Sequence, residues 1–302
     1  MNTSRTRYAA TVGTFDGVHR GHTEVLDTLG FEAVIRGLQP LAITFDRHPL
    51  SVIAPERAPG MLTQRHERDL LIRSHRVKPV EIPFTSQLAS MTAREWIQCL
   101  HNDYNVDLLV IGYDNTFGHD GRSLTHNDYL KIGKEAGIEI IEAPCLPGIS
   151  SSAIRHAVTE GRITEASDML GRPFALEGTV GTGQQVGRTI GFPTANVVQP
   201  SYMAVPGGGV YAARAFIPDR SDPIAAMVNI GRRPTIADSL GVTVEANLID
   251  WSGDLYGLPL RLEFLQRLRD ERRFDSLDSL AERLRKDRIQ ARELFLAAES
   301  AK

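Results

Sequence analysis

Residues 11–22 read TVGTFDGVHRGH, a strand-like opening that runs into a loop holding three glycines, an aspartate and two histidines. An ordinary turn needs one or two glycines and no imidazoles. Gly13, Gly17 and Gly21 let the backbone approach a ligand closely and take positive φ. Gly21 and His22 lead into a predicted helix over 22–29, whose free N–H groups and dipole favour an anion. His19 and His22, three apart, fall on one side of its first turn. Imidazole N–H groups there can donate to phosphate oxygens, more strongly when protonated. Two surface histidines, or two ligands of a metal site without an obvious third, fit that spacing alone. Strand end, glycines and His-x-Gly-His together favour phosphate. Asp16 fits either metal coordination or a structural hydrogen bond within the loop.

Working outward, short apolar runs alternate with helical stretches through the first half. Strands are predicted at 8–13, 41–46, 80–84, 106–112 and 138–143, rich in the β-branched residues of buried parallel strands. A helix is predicted over 92–100, where Thr92 and Glu95 have capping-box spacing. Such alternation argues for an open parallel sheet covered on both faces. Sheets of that kind bind ligands beyond the carboxyl ends of their strands, which is where the opening loop falls.

The character changes between Glu160 and Pro173. Short strands are predicted at 175–180, 210–217, 225–230, 242–249 and 260–265, joined by glycine- and proline-rich links, the pattern of a small antiparallel barrel or sandwich. The tail from Ser276 is helical, with Leu277, Leu280, Leu284, Ala291 and Phe295 on one face and charged residues opposite. GTGQQVGRT (181–189) is not a P-loop: Gly183 to Gly187 is one residue short, and Arg188 stands where the lysine belongs.

The 302 residues predict two domains, and 42% hydrophobic with 24% charged residues is ordinary for a globular protein. A net charge of −3 supplies no field for nucleic acid, so any anion must be held by local geometry. Cys99 and Cys145 match no metal or redox spacing, and no apolar run reaches membrane-spanning length. These features predict a cytoplasmic protein with no nucleic-acid or membrane partner; an oligomer is possible but not predicted.

His19-Arg20-Gly21-His22 after a strand resembles the nucleotidylyltransferase signature, and GTFDGVHRGH is similar to the start of bacterial bifunctional riboflavin kinase/FAD synthetases. TFDRHP (44–49) with PERAPGMLTQRHER, IGYDNTFG (111–118) and ISSSAIR (149–155) continue the resemblance in order. So do GRTIGFPTAN (187–196), GGGVYA (207–212), NIGRRPT (229–235), VEANLID (244–250), GDLYG (253–257) and RLRDERRFDSL (267–277). Three positions depart from the family pattern: Asn115 replaces an aromatic, Arg122 is displaced by one residue, and Asn247 stands where histidine is common.

The resemblance implies an α/β nucleotidylyltransferase-like doubly wound parallel sheet over 1–170. Over 171–302 it implies a six-stranded antiparallel β-barrel of riboflavin kinase type with a C-terminal helix. In the first domain it implies ATP contacts from Gly13, Phe15, Asp16, Gly17, Gly21, Ser151 and Ser152. His19, His22 and Arg155 are implied as catalytic, and Asp114 and Phe117 as flavin-binding. In the second, Gly183, Gly187, Arg188, Gly191, Pro193, Thr194 and Asn196 are implied to bind ATP, with Thr194 and Asn196 also holding Mg²⁺. Glu245 is implied as the base; by itself it reads as an exposed strand glutamate. The implied substrates and products are riboflavin, FMN, ATP and FAD.

Two reactions follow from that likeness. Phosphorylating riboflavin requires an alcohol to lose a proton, which a carboxylate assists. Transferring AMP to FMN uses a nucleophile that is already anionic, so that site need only hold and neutralise polyanions. The alternatives are a riboflavin kinase with a weak or altered adenylyltransferase domain, and a flavin-responsive regulatory protein. The last would need a DNA-reading or receptor element, and the sequence shows none.

Overall fold

In a computed structural model the described residues are 6–113, 115–182, 191–233 and 241–301. Packing divides the chain into two compact units, Met1–Ser151 and Ser152–Lys302.

The first unit is built on strands β1 (Tyr8–Val12), β2 (Gln39–Phe45), β3 (Lys78–Ile82), β4 (Val106–Ile111) and β5 (Glu139–Glu142), paired in parallel in the order β3-β2-β1-β4-β5. Helices α1 (Arg20–Arg36), α2 (Leu50–Ile53), α3 (Arg65–Ser74), α4 (Ser86–Ser90), α5 (Ala93–Tyr104) and α6 (His126–Ala136) connect them. Strand periodicity sends alternate residues to opposite faces. Ala9, Ala42, Leu108 and Val110 pack with Leu26, Leu29 and Ala33 of α1 and Ile72 of α3. Ala10, Ile43 and Leu109 pack with Trp96 and Ile97 of α5 and Ile132 of α6 on the other face. Thr92 caps α5 as its spacing predicts, with Glu95 returning the bond in a complete capping box. From β1 the chain moves outward to β2 and β3, and only later fills the other side with β4 and β5. The order therefore reverses beside β1, and such a point opens a crevice at the strand ends.

The second unit begins within α7 (Ser151–Thr159), one residue past its start, and continues through α8 (Ile163–Leu170). Strands β6 (Ala175–Gly181), β7 (Ala195–Val198), β8 (Gly209–Phe216), β9 (Ile224–Arg233), β10 (Gly241–Leu248) and β11 (Pro259–Arg269) close an antiparallel barrel in the order β10-β7-β6-β11-β8-β9. Helix α9 (Leu277–Ser300), capped by Ser276, covers one outer face, where Leu284, Ala291, Leu294 and Phe295 meet Val210, Ala212 and Met227. Closure removes the free sheet edges that short strands would otherwise expose.

Three sequence expectations need correction. Strand β7 lies inside the PTANVV segment, which reads as a motif and not as a strand; pairing with both β6 and β10 makes it one. Helix α1 continues past Leu29 to Arg36, because Gly30 sits inside it and the left-handed cap is Gly37 at φ 65°. Leu277 is exposed in the first turn of α9, ahead of the part that packs on the barrel.

Candidate active sites in the two units

The opening loop leaves β1 at Gly13, whose N–H donates to Ile43 O at 3.1 Å across the strand end. It then folds tightly on itself. Phe15 takes φ 48°, Gly17 87° and Val18 35°, and the Val18 N–H donates to Phe15 O at 3.1 Å. Only glycine adopts such angles without strain; for the buried Phe15 and Val18 each costs roughly 1–3 kcal/mol. Strain of this size persists only where neighbours over-determine the backbone. Here the Asp16 Oδ1 accepts the N–H groups of Leu62 at 2.8 Å and Thr63 at 3.3 Å, and Gly17 N–H donates to Thr63 Oγ1 at 3.1 Å.

His19 follows as the N-cap of α1, its Nδ1 accepting the His22 N–H at 3.2 Å. A backbone N–H can only donate, so this nitrogen is bare and the neutral ring carries its proton on Nε2. The His22 ring stacks on it, centroids 3.7 Å apart, and Phe15 tilts against His22 at 5.0 Å. Both imidazoles therefore stand at the positive start of a 17-residue helix. Gly21 is needed for this approach: a Cβ there would lie 3.2 Å from the His19 ring. Ser151, at the start of α7, donates its hydroxyl to Asp16 O at 2.8 Å. Loop, residues 62–63 and the serine-rich segment thus come together. Ser152 and Arg155 continue along α7 into the second unit.

Asp114 lies outside the described residues. Asn115 donates from Nδ2 to Val12 O at 3.1 Å, fastening the loop after β4 to the end of β1 beside the crevice. Phe117 is buried, edge-on to Tyr129 at 5.8 Å, so its ring supports that loop from beneath. Arg122 lies in a short 3-10 turn, Gly121–Ser123.

In the second unit, β10 pairs Glu245 with Asn196 of β7 on one side and with Asn229 of β9 on the other. Residues directly opposite share a face of a sheet, so the three side chains form a row on the barrel. Asn247 extends that face beside Met227, which packs under α9. It is buried, and its Nδ2 donates to Pro193 O at 2.7 Å, tying down the segment that carries Thr194 and Asn196. Gly191 takes φ 80° at the start of that segment. Asn196 Nδ2 donates to Thr182 O at 3.4 Å, which turns its carbonyl oxygen the other way. Gly183, Gly187 and Arg188 lie outside the described residues.

Glu271, in the loop after β11, was given no role by the sequence. Its Oε1 lies 3.0 Å from where a Cβ at Gly231 would stand, with Thr243 Oγ1 at 3.4 Å and Asn229 Nδ2 at 3.6 Å. Polar atoms from three segments thus surround Gly231. Asn115 and Asn247, visible in sequence as departures, each prove to anchor a neighbouring carbonyl. Leu62 and Thr63 stand inside the PERAPGMLTQRHER stretch, but their bonds to Asp16, 46 residues or more away, leave no local pattern that would mark them as its partners.

Comparison with known proteins covers both units. The FAD synthetase family matches residues 1–154 and the riboflavin kinase family residues 170–295. The bifunctional riboflavin kinase/FMN adenylyltransferase of Escherichia coli K12 is 37% identical over 94% of this chain and 92% of its own length. The enzyme of that name from Bacillus subtilis is 32% identical, over 94% and 91%. Among solved structures, a chain described as a macrolide-efflux protein from Streptococcus pneumoniae is 31% identical, with a TM-score of 0.86 over 96% of each chain. No helix among the described residues is long and apolar enough to cross a membrane. Similarity that spans 94% of the chain, with a family region matched in each half, means that this chain belongs to the bifunctional riboflavin kinase/FMN adenylyltransferase family.

Proposed function

We propose that the chain makes FAD in two steps at two separate sites, and that residues 1–170 and 171–302 are the functional domains. The barrel moves the γ-phosphoryl of ATP onto the terminal hydroxyl of riboflavin, giving FMN. The sheet domain joins AMP from a second ATP to the FMN phosphate, releasing pyrophosphate. The observation that carries this reading is that a polar cluster lies within each matched range, the His19–His22 loop in 1–154 and the Asn196–Glu245–Asn229 row in 170–295.

At the barrel site Glu245 accepts the proton that the ribityl hydroxyl loses as it attacks phosphorus. Its neighbour Asn196 and the nearby Thr194 present an amide carbonyl and a hydroxyl, hard oxygen donors of the kind Mg²⁺ takes. The orientation of Asn196, with Nδ2 donated to Thr182 O, suits that use. Bound with ATP, Mg²⁺ would neutralise phosphate charge. Gly183, Gly187, Arg188, Gly191 and Pro193 are assigned to the nucleotide phosphates.

At the sheet site no base is needed. His19 donates through Nε2, and His22 and Arg155 add positive or donor character around the α-phosphate as charge shifts toward pyrophosphate. Gly13, Phe15, Asp16, Gly17, Gly21, Ser151 and Ser152 form or hold the nucleotide cradle. Asp114 and Phe117 mark the flavin side, Phe117 by packing beneath it. A cytoplasmic site of action suits two unpaired cysteines.

Incubation with riboflavin, ATP and Mg²⁺, followed by chromatography of flavins, tests the scheme. FMN followed by FAD is expected. His22→Ala should stop FAD formation from FMN and spare riboflavin phosphorylation, and Glu245→Ala should do the reverse. If both folded variants impaired both reactions alike, the two-site assignment would be wrong.

A further inference from the structure

The opening loop is strained, and one buried residue joins it to two other segments, to one by its side chain and to the other by its backbone carbonyl. Phe15 and Val18 hold left-handed angles on either side of Asp16 and Gly17. Asp16 is 1% exposed, Leu62 1% and Thr63 5%, so their hydrogen bonds are shielded from water. Asp16 Oδ1 accepts two N–H groups, at 2.8 and 3.3 Å, while its backbone carbonyl accepts the Ser151 hydroxyl at 2.8 Å. Gly17 N–H adds a third tie, to Thr63 Oγ1 at 3.1 Å. Three residues beyond Asp16 the chain enters α1 through the capping ring of His19. Any relaxation of the loop therefore moves both imidazoles.

We propose that Asp16 is a positioning residue of the adenylyltransferase site, a latch that holds the strained loop against Leu62–Thr63 and Ser151 by accepting hydrogen bonds and not by binding a metal ion. The inference rests on the reading of this loop as the AMP-transfer site. A carboxylate with Oδ1 turned to two backbone N–H groups spends its charge inside the protein, where those donors satisfy it. The latch fixes where His19 Nε2 points, and a misplacement of about 1 Å at such a site costs on the order of 10²-fold in rate.

The full-length chain tests this with FMN, ATP and Mg²⁺, riboflavin phosphorylation serving as the internal control. Asp16→Ala is expected to lower kcat for FAD formation about 10²-fold, with riboflavin phosphorylation unchanged. Asp16→Asn keeps a carbonyl oxygen at Oδ1 and should stay within about tenfold of the parent, with the same Mg²⁺ dependence. An Asn variant no better than Ala, or one that needs more Mg²⁺, would overturn the proposal. Thr63→Val, which keeps the side-chain shape and removes one acceptor, guards against misfolding of the Ala variant and should cost about tenfold.

Hydrogen exchange provides a readout that needs no turnover. The amides of Gly17, Leu62 and Thr63 should exchange slowly together in the parent and at least about tenfold faster in Asp16→Ala. Unchanged exchange would sink the latch. A parent chain that made no FAD would instead sink the reading of the site, while the exchange comparison would still decide the latch.

Discussion

His19 and His22 lie face to face, 3.7 Å apart and 15° from parallel, with the His19 Nδ1 accepting the His22 N–H at 3.2 Å. One ring therefore does two things, capping the helix through Nδ1 and keeping an N–H donor at Nε2. The two can be separated. Asparagine is among the best N-caps and has no imidazole; alanine has neither property. His19→Ala should lose about 1 kcal/mol of stability together with FAD formation. His19→Asn should regain the stability but not the activity. Thermal unfolding and FMN turnover measured on the same samples check this, and full activity in His19→Asn would remove the Nε2 role.

Asn247 Nδ2 donates to Pro193 O at 2.7 Å in a buried setting. The side chain must be a donor there. Asn247→His should be tolerated, because an imidazole N–H can serve. Asn247→Asp sets a carboxylate against a carbonyl, costing about 1–3 kcal/mol and displacing the Thr194–Asn196 segment. Riboflavin phosphorylation should fall about 10²-fold while adenylation of FMN is unaffected. Equal activity of the Asp and His variants would show that this bond does not position the segment.

Burial pushes the Cys99 thiol up to about 11, helped by its S–H bond to Asp103 Oδ2 at 3.2 Å. A thiol of ordinary pKa is roughly a quarter ionised at pH 8, whereas Cys99 would be about one part in a thousand. The thiolate is the nucleophile, so alkylation should slow by about 10²-fold and recover as pH rises toward 10. Mass spectrometry of iodoacetamide-treated protein should find exposed Cys145 labelled first. Rapid labelling of Cys99 at pH 8 would contradict the burial argument.

Much of this was legible in the sequence, and what was not has common causes. β1, β2 and β4 announce themselves by apolar runs because both their faces are buried. β7 does not, since four residues containing Asn196 owe their strand geometry to ladders on both sides. The end of α1 was hidden by Gly30 and by the exposed Phe31, Val34 and Ile35, which blur its apolar period. His19, His22 and Glu245 are singled out by motif, but the Asp16 tie spans 46 residues and leaves no local pattern. Asn115 and Asn247 stood out only as departures, and their partners gave the reason.

The run Gly207-Gly208-Gly209 has a steric cause. A Cβ at Gly207 would lie 2.5 Å from Thr159 O, where the Gly207 N–H already donates to Val158 O at 3.0 Å. Gly209, at φ 155°, would bring a Cβ within 2.7 Å of Arg269 O. Tyr211 Oη and Arg267 Nη2 bind the carbonyls of Gly207 and Gly208, so the backbone cannot easily yield. Gly207→Ala should therefore cost roughly 1–3 kcal/mol by overpacking. Gly241, which has open space among the described residues and no positive φ, serves as the control: Gly241→Ala should be neutral or slightly stabilising. Chemical denaturation of the two variants decides it, and equal midpoints would refute the steric account.

Asp287 is wholly buried on α9, between Arg269 Nε and Arg283 Nε, each 2.8 Å away. The pair with Arg269 joins the helix to the end of β11 and to the loop that follows. Arg269 Nη1 donates to Asp270 O at 3.1 Å, and its guanidinium lies 5.5 Å from the Phe274 ring centroid. Glu271 sits between these two points, beside Gly231. Asp287→Ala leaves two guanidinium groups without their carboxylate, a change that typically costs about 3–5 kcal/mol. For a unit of this size that lowers the melting temperature by about 6–20 °C. Replacing the pair by apolar residues, Arg269→Met with Asp287→Leu, should recover part of that stability, because the desolvation cost of that pair disappears along with its attraction while Arg283 still lacks its carboxylate. It should not recover riboflavin phosphorylation if Arg269 also sets the course of the loop carrying Glu271. A double variant as stable as the parent and equally active would confine Asp287 to the fold. One that is stable but slow would extend its influence to the site.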